Sequence, residues 1–85
     1  MTKFEIIKKY IDEFDYYDLL ACHAPKDEFD SYSYKLSEEI SEKNTIEEIA
    51  NLIANTLDKA FGNEVNPQKF ITTAQKILTD INGIN

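Results

Sequence analysis

The chain has 85 residues, of which 42% are hydrophobic and 29% are charged, and its net charge is −7. This length and mixture predict a single soluble globular domain over residues 1–85 rather than a disordered tail. No apolar run approaches the ~20 residues of a membrane span, and the first residues lack the apolar segment of a signal peptide. We therefore expect a cytoplasmic protein with no membrane partner, and the single Cys22 agrees with a reducing compartment.

The first two predicted helices cover residues 3–14 and 16–23. Thr2 and Glu5 form the pattern of a capping box at the start of the first helix. Asp15 is the predicted N-terminal cap of the short second helix. Apolar residues of the first helix repeat at intervals of three and four, which predicts one inward face. They are Phe4, Ile6, Ile7, Tyr10, Ile11 and Phe14.

The third and fourth predicted helices follow a loop. The third covers residues 31–43, with Asp30 as its cap. The fourth begins at Thr45, which forms a second capping box with Glu48, and its apolar periodicity is the strongest in the chain. Gly62 follows its last turn, where a left-handed residue commonly ends a helix.

A fifth helix completes the predicted fold. Asn66 caps it, Pro67 takes its first position, and Gly83 with Ile84 predicts a C-terminal turn that folds back onto the helix. No segment alternates between apolar and polar residues as a strand would. Short connections favour antiparallel neighbours, so the sequence predicts an all-α, compact antiparallel bundle of about five helices.

The negative charge is concentrated in one part of the chain. Residues 12–48 contain twelve acids and three lysines, a net charge of −9, whereas residues 1–11 carry +2 and residues 49–85 are neutral. Such a distribution repels nucleic acid and anionic lipid and attracts cationic molecules. We expect a cationic protein as the partner, no nucleic acid, and a monomer when the protein is free.

The acidic clusters do not match known metal sites. A calcium-binding EF-hand loop needs a glycine at its sixth position, and residues 12–48 contain none. A structural zinc site needs four Cys or His ligands, and the chain has one residue of each type. The sequence therefore predicts neither a metal nor another cofactor.

Cys22 and His23 are adjacent, which suggests a nucleophile with its base. Neighbours on a helix point about 100° apart, which is poor geometry for proton transfer. We expect Cys22 to be a small buried hydrophobic residue, and His23 to face solvent or the end of its short helix. Paired carboxylates could in principle do acid–base work, but a bundle of short helices leaves little room for the cleft that they need. No glycine-rich loop is present to bind phosphate. The sequence predicts that the protein is not an enzyme.

The four residues Asp-Glu-Phe-Asp occur twice, at 12–15 and at 27–30. We expect Phe14 and Phe29 to lie in the core, while the remaining acids form either a solvated face or an interaction surface. Four tyrosines in the same part of the chain cannot all point inward, and exposed tyrosines among acids are typical of a binding surface. The candidate partner-binding residues are Asp12, Asp18, Asp27, Glu28, Tyr32, Tyr34, Glu38, Glu39 and Glu42.

Residues 11–29 resemble a family of uncharacterised helical bacterial proteins of the YugE type. The chain reads Ile-Asp-Glu-Phe-Asp, Leu-Leu and Ala-Pro-Lys-Asp-Glu-Phe, and the family pattern is I-x-x-W-D-P, L-L and G-A-P-x-D-E-Y. The chain departs from the pattern by having Phe14 for Trp, Tyr16 for Pro, His23 for Gly and Phe29 for Tyr. The resemblance implies a compact all-α fold with no known activity.

Similar small acidic helical proteins serve as immunity proteins that block an antibacterial toxin in the producing cell. On that interpretation, Asp27 and Glu28 belong to a structural loop, and Glu38, Glu39 and Glu42 are variable contacts. The leading hypothesis is an immunity protein that covers the basic active site of a nuclease toxin. The alternatives are a housekeeping adaptor or regulatory protein and, second, a nucleic-acid mimic.

Overall fold

A computed structural model describes residues 2–19, 21–22 and 27–83, with the side chain of Asp18 left aside. The described residues form α-helices and 3₁₀ turns and no strand, so the all-α prediction is confirmed. No helix among them is long and apolar enough to cross a membrane. The helices are α1 (Lys3–Phe14), α2 (Asp30–Glu39), α3 (Ile46–Ala60) and α4 (Ile71–Gly83), and the 3₁₀ turns are Tyr16–Asp18 and Pro67–Phe70.

Both predicted capping boxes are present. The Thr2 hydroxyl accepts a hydrogen bond from the Glu5 backbone N–H at 3.1 Å, and the Glu5 carboxylate accepts one from the Thr2 N–H at 2.9 Å. Thr45 and Glu48 repeat the arrangement at the start of α3, at 3.1 and 2.8 Å. These bonds satisfy backbone donors that the first turn of a helix leaves open, so α1 and α3 begin where the sequence predicts.

The predicted second α-helix is reduced to one 3₁₀ turn in the described residues. Asp15 and Tyr17 have left-handed backbone angles, with φ of 50° and 58°, and two such residues so close together prevent a continuous α-helix. The Asp15 side chain does not cap the turn and accepts instead from the Ala21 N–H at 3.0 Å. Cys22 is consequently exposed, and the prediction that it is buried is wrong. His23 lies outside the described residues.

Helix α2 is shorter than predicted and begins differently. Phe29 occupies its N-cap position, and Asp30 is the first helical residue rather than the cap. The helix ends before Ile40, whose backbone is extended, instead of continuing to residue 43. In the following turn the Asn44 side chain accepts from the Ser41 N–H at 2.8 Å, a local bond that competes with helix formation.

The end of α3 and the start of the last helical segment follow the predicted signals. Gly62 has φ of 73°, the left-handed angle expected after a helix. The Asn66 side chain accepts from the Gln68 N–H at 3.3 Å, and Pro67 takes the first position of the 3₁₀ turn, which continues directly into α4. The predicted fifth helix thus starts as a 3₁₀ turn, and the predicted contact of Ile84 lies outside the described residues.

The helices pack around one cluster of buried side chains, and the Cα radius of gyration of 11.9 Å matches the ~12 Å of a compact domain this size. Helix α1 packs on α2 and α4, and α3 packs on both as well. Phe29 is fully buried, as predicted, and Phe14 packs against the core from its edge. The described part of the chain contains four α-helices where five helices were predicted, and their antiparallel arrangement stays a prediction. The aliphatic residues at the centre are Ile6, Ile7, Ile11, Leu36, Ile49, Ile53, Leu57 and Ile77.

Candidate functional site

Lys8 ties α1 to the start of α2. Its ammonium group lies 2.8 Å from the Asp12 carboxylate, one turn along α1, and 2.6 Å from the carboxylate of Asp30. Hydrogen bonds to Asp12 and Asp30 raise the pKa of Lys8. Asp12, a candidate for partner binding, is therefore partly buried in an ion pair within the fold.

Two further acids join α1 to α4. Lys76 lies 2.9 Å from the Glu13 carboxylate, and its hydrogen bond holds the pKa of Glu13 below the ordinary value. The Tyr10 hydroxyl donates to Asp80 at 2.6 Å, and this bond raises the pKa of Tyr10. The Lys76–Glu13 pair lies at the surface, where such pairs contribute little stability, whereas the Tyr10–Asp80 bond is partly buried. The two contacts place Glu13 and Asp80 on the α1–α4 side.

Another acid, Asp58, is fully buried in a polar network that was not predicted from the sequence. The Tyr16 hydroxyl and the Lys69 ammonium each lie 2.6 Å from its Oδ1, and the Asn66 backbone N–H donates to Oδ2 at 2.8 Å. Burial alone would raise the pKa of Asp58. The bonds from Lys69, Tyr16 and Asn66 outweigh it and hold the pKa below its ordinary value.

Asn63 extends this network to the 3₁₀ turn Tyr16–Asp18. Its side-chain amide donates to the Tyr16 hydroxyl at 2.6 Å and to the Tyr17 hydroxyl, and its backbone N–H donates to the Asp58 carbonyl at 2.7 Å. The Lys69 ammonium also lies 5.1 Å from the centre of the Tyr16 ring. The network therefore holds the left-handed turn against the loop that joins α3 to α4.

The sequence does contain a signal for the burial of Asp58. It follows Ala50 and Ala54 at intervals of four, and both alanines are fully buried. The apolar row of α3 therefore points Asp58 into the core, where a charge needs a partner. The identity of that partner, Lys69, depends on the tertiary structure.

A partly open groove of about 470 Å³ lies between α3 and the start of α4. Its lining residues are Glu47, Asn51, Pro67, Gln68 and Ile71. In the part of the chain that the structure describes, no group of three or more His, Cys, Asp or Glu side chains could hold a metal ion. The groove mixes short polar and apolar groups and contains no cysteine or histidine.

Five further acids are exposed on α2 or beside its two ends. Along this helix, Ser33 and Leu36 are buried on the inward face. The side chains of Tyr34, Lys35, Glu38 and Glu39 are exposed to solvent. We call the exposed charged residues from 27 to 42, together with Tyr34, the acidic α2 face; it contains five acids and one lysine, and the exposed Lys43 follows it directly. Its members are Asp27, Glu28, Tyr34, Lys35, Glu38, Glu39 and Glu42.

The acids of this face differ from those elsewhere in the protein. Among the described residues, no ion pair involves Asp27, Glu28, Glu38 or Glu39, whereas Asp12, Glu13, Asp30 and Asp58 all pair with lysines. Six of the predicted partner-binding residues are thus exposed together on or beside α2. They are Asp27, Glu28, Tyr34, Glu38, Glu39 and Glu42.

The other three predicted partner-binding residues are placed differently. Asp12 lies in the ion pair with Lys8. Tyr32 is partly buried against the core, with its ring centre 6.0 Å from that of Phe61. The side chain of Asp18 lies outside the described residues.

Tyr34 is 59% exposed and stacks on Phe4, with ring centres 4.1 Å apart and an angle of 17° between the planes. Phe4 was predicted to lie on the inward face of α1, but it is only partly buried. Among the described residues it belongs neither to the buried core nor to the side chains packed directly against it. The two rings therefore form an aromatic pair at the surface, between α1 and the acidic α2 face.

The fold and the surface together define a small all-α acidic protein with a charged face on and beside α2, in which Asp27, Glu28, Glu38 and Glu39 form no ion pair with the described residues. No protein-family model matches the chain, and no curated protein or solved structure matches it. The resemblance of residues 11–29 to the YugE-type family stays a prediction. The functional interpretation therefore depends on the site itself.

Proposed function

We propose that this protein is an immunity protein: a small acidic binding protein that neutralises a cognate basic antibacterial toxin by covering its active site. The observation that carries the proposal is the acidic α2 face, in which Glu38 and Glu39 lie on the last turn of α2, Asp27 and Glu28 lie before the helix and Glu42 lies after it, all of them exposed. On the other helices, Glu13 and Asp58 pair with lysines and Glu48 caps α3, whereas Glu47 is exposed. Glu38 and Glu39 form no ion pair with the described residues, which supports their availability to a partner.

A nuclease is the toxin class that suits this face best. An enzyme that cleaves nucleic acid carries lysines and arginines along its substrate groove, because it must bind a chain of phosphates. Exposed carboxylates at the last turn of α2 and beside both ends of the helix complement such a groove in charge, which speeds association and disfavours neutral partners. Covering the groove blocks the toxin sterically, so the inhibitor needs no chemistry of its own.

The proposal gives the protein no catalytic role. The carboxylate of Asp58 is fully buried, and its oxygens accept bonds from Tyr16, Asn66 and Lys69. A substrate could reach this group only after the network opened. Its geometry suits a structural contact that positions the loop between α3 and α4.

A protection assay with charge-reversed variants tests the proposal. The product of the neighbouring gene is expressed under an inducible promoter, with this protein or a variant beside it, and cell survival is measured. We expect the wild-type chain to protect the cells and the double variant Glu38→Lys, Glu39→Lys to lose protection by about a hundredfold or more, as for two interface charges of ~2 kcal/mol each.

The matched control is Glu47→Lys with Glu64→Lys, which changes the net charge equally at exposed positions outside the acidic α2 face. It should protect like the wild type, and both variants should retain wild-type circular dichroism and melting. Equal protection by the two double variants would show that α2 is only a solvated face. If the neighbouring product is not toxic but still binds the wild-type chain, the protein is an adaptor instead.

A further inference from the structure

The aromatic pair of Phe4 and Tyr34 is not needed to fill the core. Phe4 lies at the start of α1 and Tyr34 in the middle of α2, and their rings stack outside the main cluster of buried residues. Tyr34 is 59% exposed although Phe4 covers one of its faces, so the opposite face and the ring edges are open to solvent. An exposed ring held by a second ring is already ordered, which lowers the cost of binding a partner there.

Among the described residues, lysine ammonium groups lie over other aromatic rings but not over the ring of Tyr34. Within residues 2–19, 21–22 and 27–83, lysine ammonium groups lie 4.9 to 6.0 Å from the ring centres of Tyr10, Tyr16 and Phe70. No such pair involves Tyr34. The nearby Lys3 ammonium donates to the Ile40 carbonyl at 2.9 Å, at the end of α2. The open face of Tyr34 is thus available to a cation from outside.

Carboxylates lie one helical turn from Tyr34 on each side. Residues four apart on a helix have Cβ atoms about 5–6 Å apart, so Asp30 and Glu38 both flank the ring. Asp30 is already bound to Lys8 at 2.6 Å. Glu38 is exposed and forms no ion pair with the described residues. The ring and the Glu38 carboxylate together offer a π face and a negative charge to one incoming group.

We infer that Tyr34, supported by Phe4 and flanked by Glu38, binds an arginine side chain of the cationic partner. A guanidinium group is planar and weakly hydrated, so it can stack on the tyrosine ring and donate two parallel hydrogen bonds to the carboxylate. A lysine ammonium can make the charge contact but cannot stack. The identity of the partner rests on the proposed function, whereas arginine binding by this pair can be measured without the partner.

The test is an NMR titration of the wild-type protein with N-acetyl-arginine methylamide. Binding should shift the ring signals of Tyr34 and Phe4 and the amide of Glu38, and the shifts should saturate. The lysine analogue, which can make the charge contact but neither stacks flat on the ring nor donates two parallel hydrogen bonds, should bind about two- to fivefold more weakly. The neutral citrulline analogue should cause no shift. Tyr17, which is 60% exposed, is an internal control and should not respond.

Two variants make the test specific. Tyr34→Leu retains an apolar side chain but removes the π face, and Glu38→Gln removes the charge without touching the aromatic pair. Each should weaken the arginine probe about two- to fivefold or more. Glu47→Gln, an exposed acid on α3, should bind the probe like the wild type.

Three results would overturn the inference: equal affinity for the arginine and lysine probes, equal shifts at Tyr17 and Tyr34, or unchanged binding in both Tyr34→Leu and Glu38→Gln. These outcomes are separate from the protection assay. If the probe binds at Tyr34 but reversal of Glu38 and Glu39 leaves protection intact, the proposed function fails and the arginine site stands. If protection depends on Glu38 and Glu39 but the probe binds elsewhere, the arginine site fails and the proposed function stands.

Discussion

At the scale of single residues, Asp58 carries more structural responsibility than any surface acid. Its buried carboxylate accepts bonds from the 3₁₀ turn Tyr16–Asp18, from the backbone at Asn66 and from Lys69. The turn Tyr16–Asp18 and the segment 66–69, which lie far apart along the chain, therefore meet at one charged group. Removing that group would leave a hydroxyl, an N–H and an ammonium without their shared acceptor.

We expect Asp58→Ala to lower the free energy of unfolding by about 2–3 kcal/mol, because the Tyr16 hydroxyl and the Asn66 N–H lose their buried acceptor, whereas the partly exposed Lys69 ammonium can return to water. Urea denaturation at pH 7 measures this loss. Asp58→Asn, which keeps the shape and a hydrogen-bond acceptor, should cost less, and Asp12→Asn, at the partly buried pair with Lys8, less still. A loss below ~1 kcal/mol for Asp58→Ala would mean that the network contributes little to stability.

When urea denaturation is repeated across pH, the free energy of unfolding should fall at both low and high pH because the Asp58–Lys69 pair loses a charge at each extreme. The pKa of Asp58 is lowered in the fold, so its stabilisation is complete above its unfolded pKa near 4 and is lost as the pH falls through the folded value. The pKa of Lys69 is raised by Asp58, so its stabilisation is complete below about 10.4 and is lost at higher pH. Asp58→Asn should flatten the stability curve in both ranges.

At the scale of elements, α3 supplies the centre of the core. Ile49, Ile53 and Leu57 of this helix are fully buried and lie on one face at intervals of four. Leu52 lies beside them along the chain but is only partly buried against the cluster. Adjacent leucine and isoleucine residues therefore differ in what their removal costs.

Ile53→Ala should cost about 2–4 kcal/mol, because it opens a cavity that the surrounding helices cannot fill completely. Leu52→Ala should cost about 1 kcal/mol, since part of its side chain already contacts water. Thermal and urea unfolding of the two variants measure the difference directly. Equal losses for the two would contradict the placement of the α3 inward face.

At the scale of the whole molecule, the charge is distributed unevenly: residues 12–48, which include the acidic α2 face, carry −9, whereas residues 49–85 are neutral. Two of the three lysines in residues 49–85 form ion pairs within the protein, Lys69 with Asp58 and Lys76 with Glu13. The acids of α2 therefore dominate the field on their side of the protein. Under the proposed function this field steers the toxin toward α2.

The association rate with a purified toxin should approach ~10⁸ M⁻¹s⁻¹ at low salt and fall steeply between 0.01 and 0.15 M salt, as the Debye length shortens from about 30 to about 8 Å. The dissociation rate should change far less. Stopped-flow mixing measures both. An association rate that does not respond to salt would exclude steering, and Glu38→Lys with Glu39→Lys should flatten the response.

The local features of this protein follow from its sequence alone. The boxes at Thr2 and Thr45, the left-handed Gly62 and the periodicity of α3 each depend on residues within one or two turns of one another. Such contacts form from neighbouring residues whatever the rest of the chain does. The all-α class, the core position of Phe29 and the acidic surface of α2 could therefore be predicted.

The remaining features depend on contacts between residues far apart in the sequence. Tyr16 reaches Asp58 across 42 positions, and its neighbour Tyr17 keeps a left-handed backbone while it is bound by Asn63, 46 positions away. The contact between Phe4 and Tyr34 is also long-range. Phe4 was expected in the core, but its ring stacks on Tyr34 between α1 and α2 instead. Only the tertiary structure decides these pairs, because a side chain selects its partner from whatever the packed helices bring within reach.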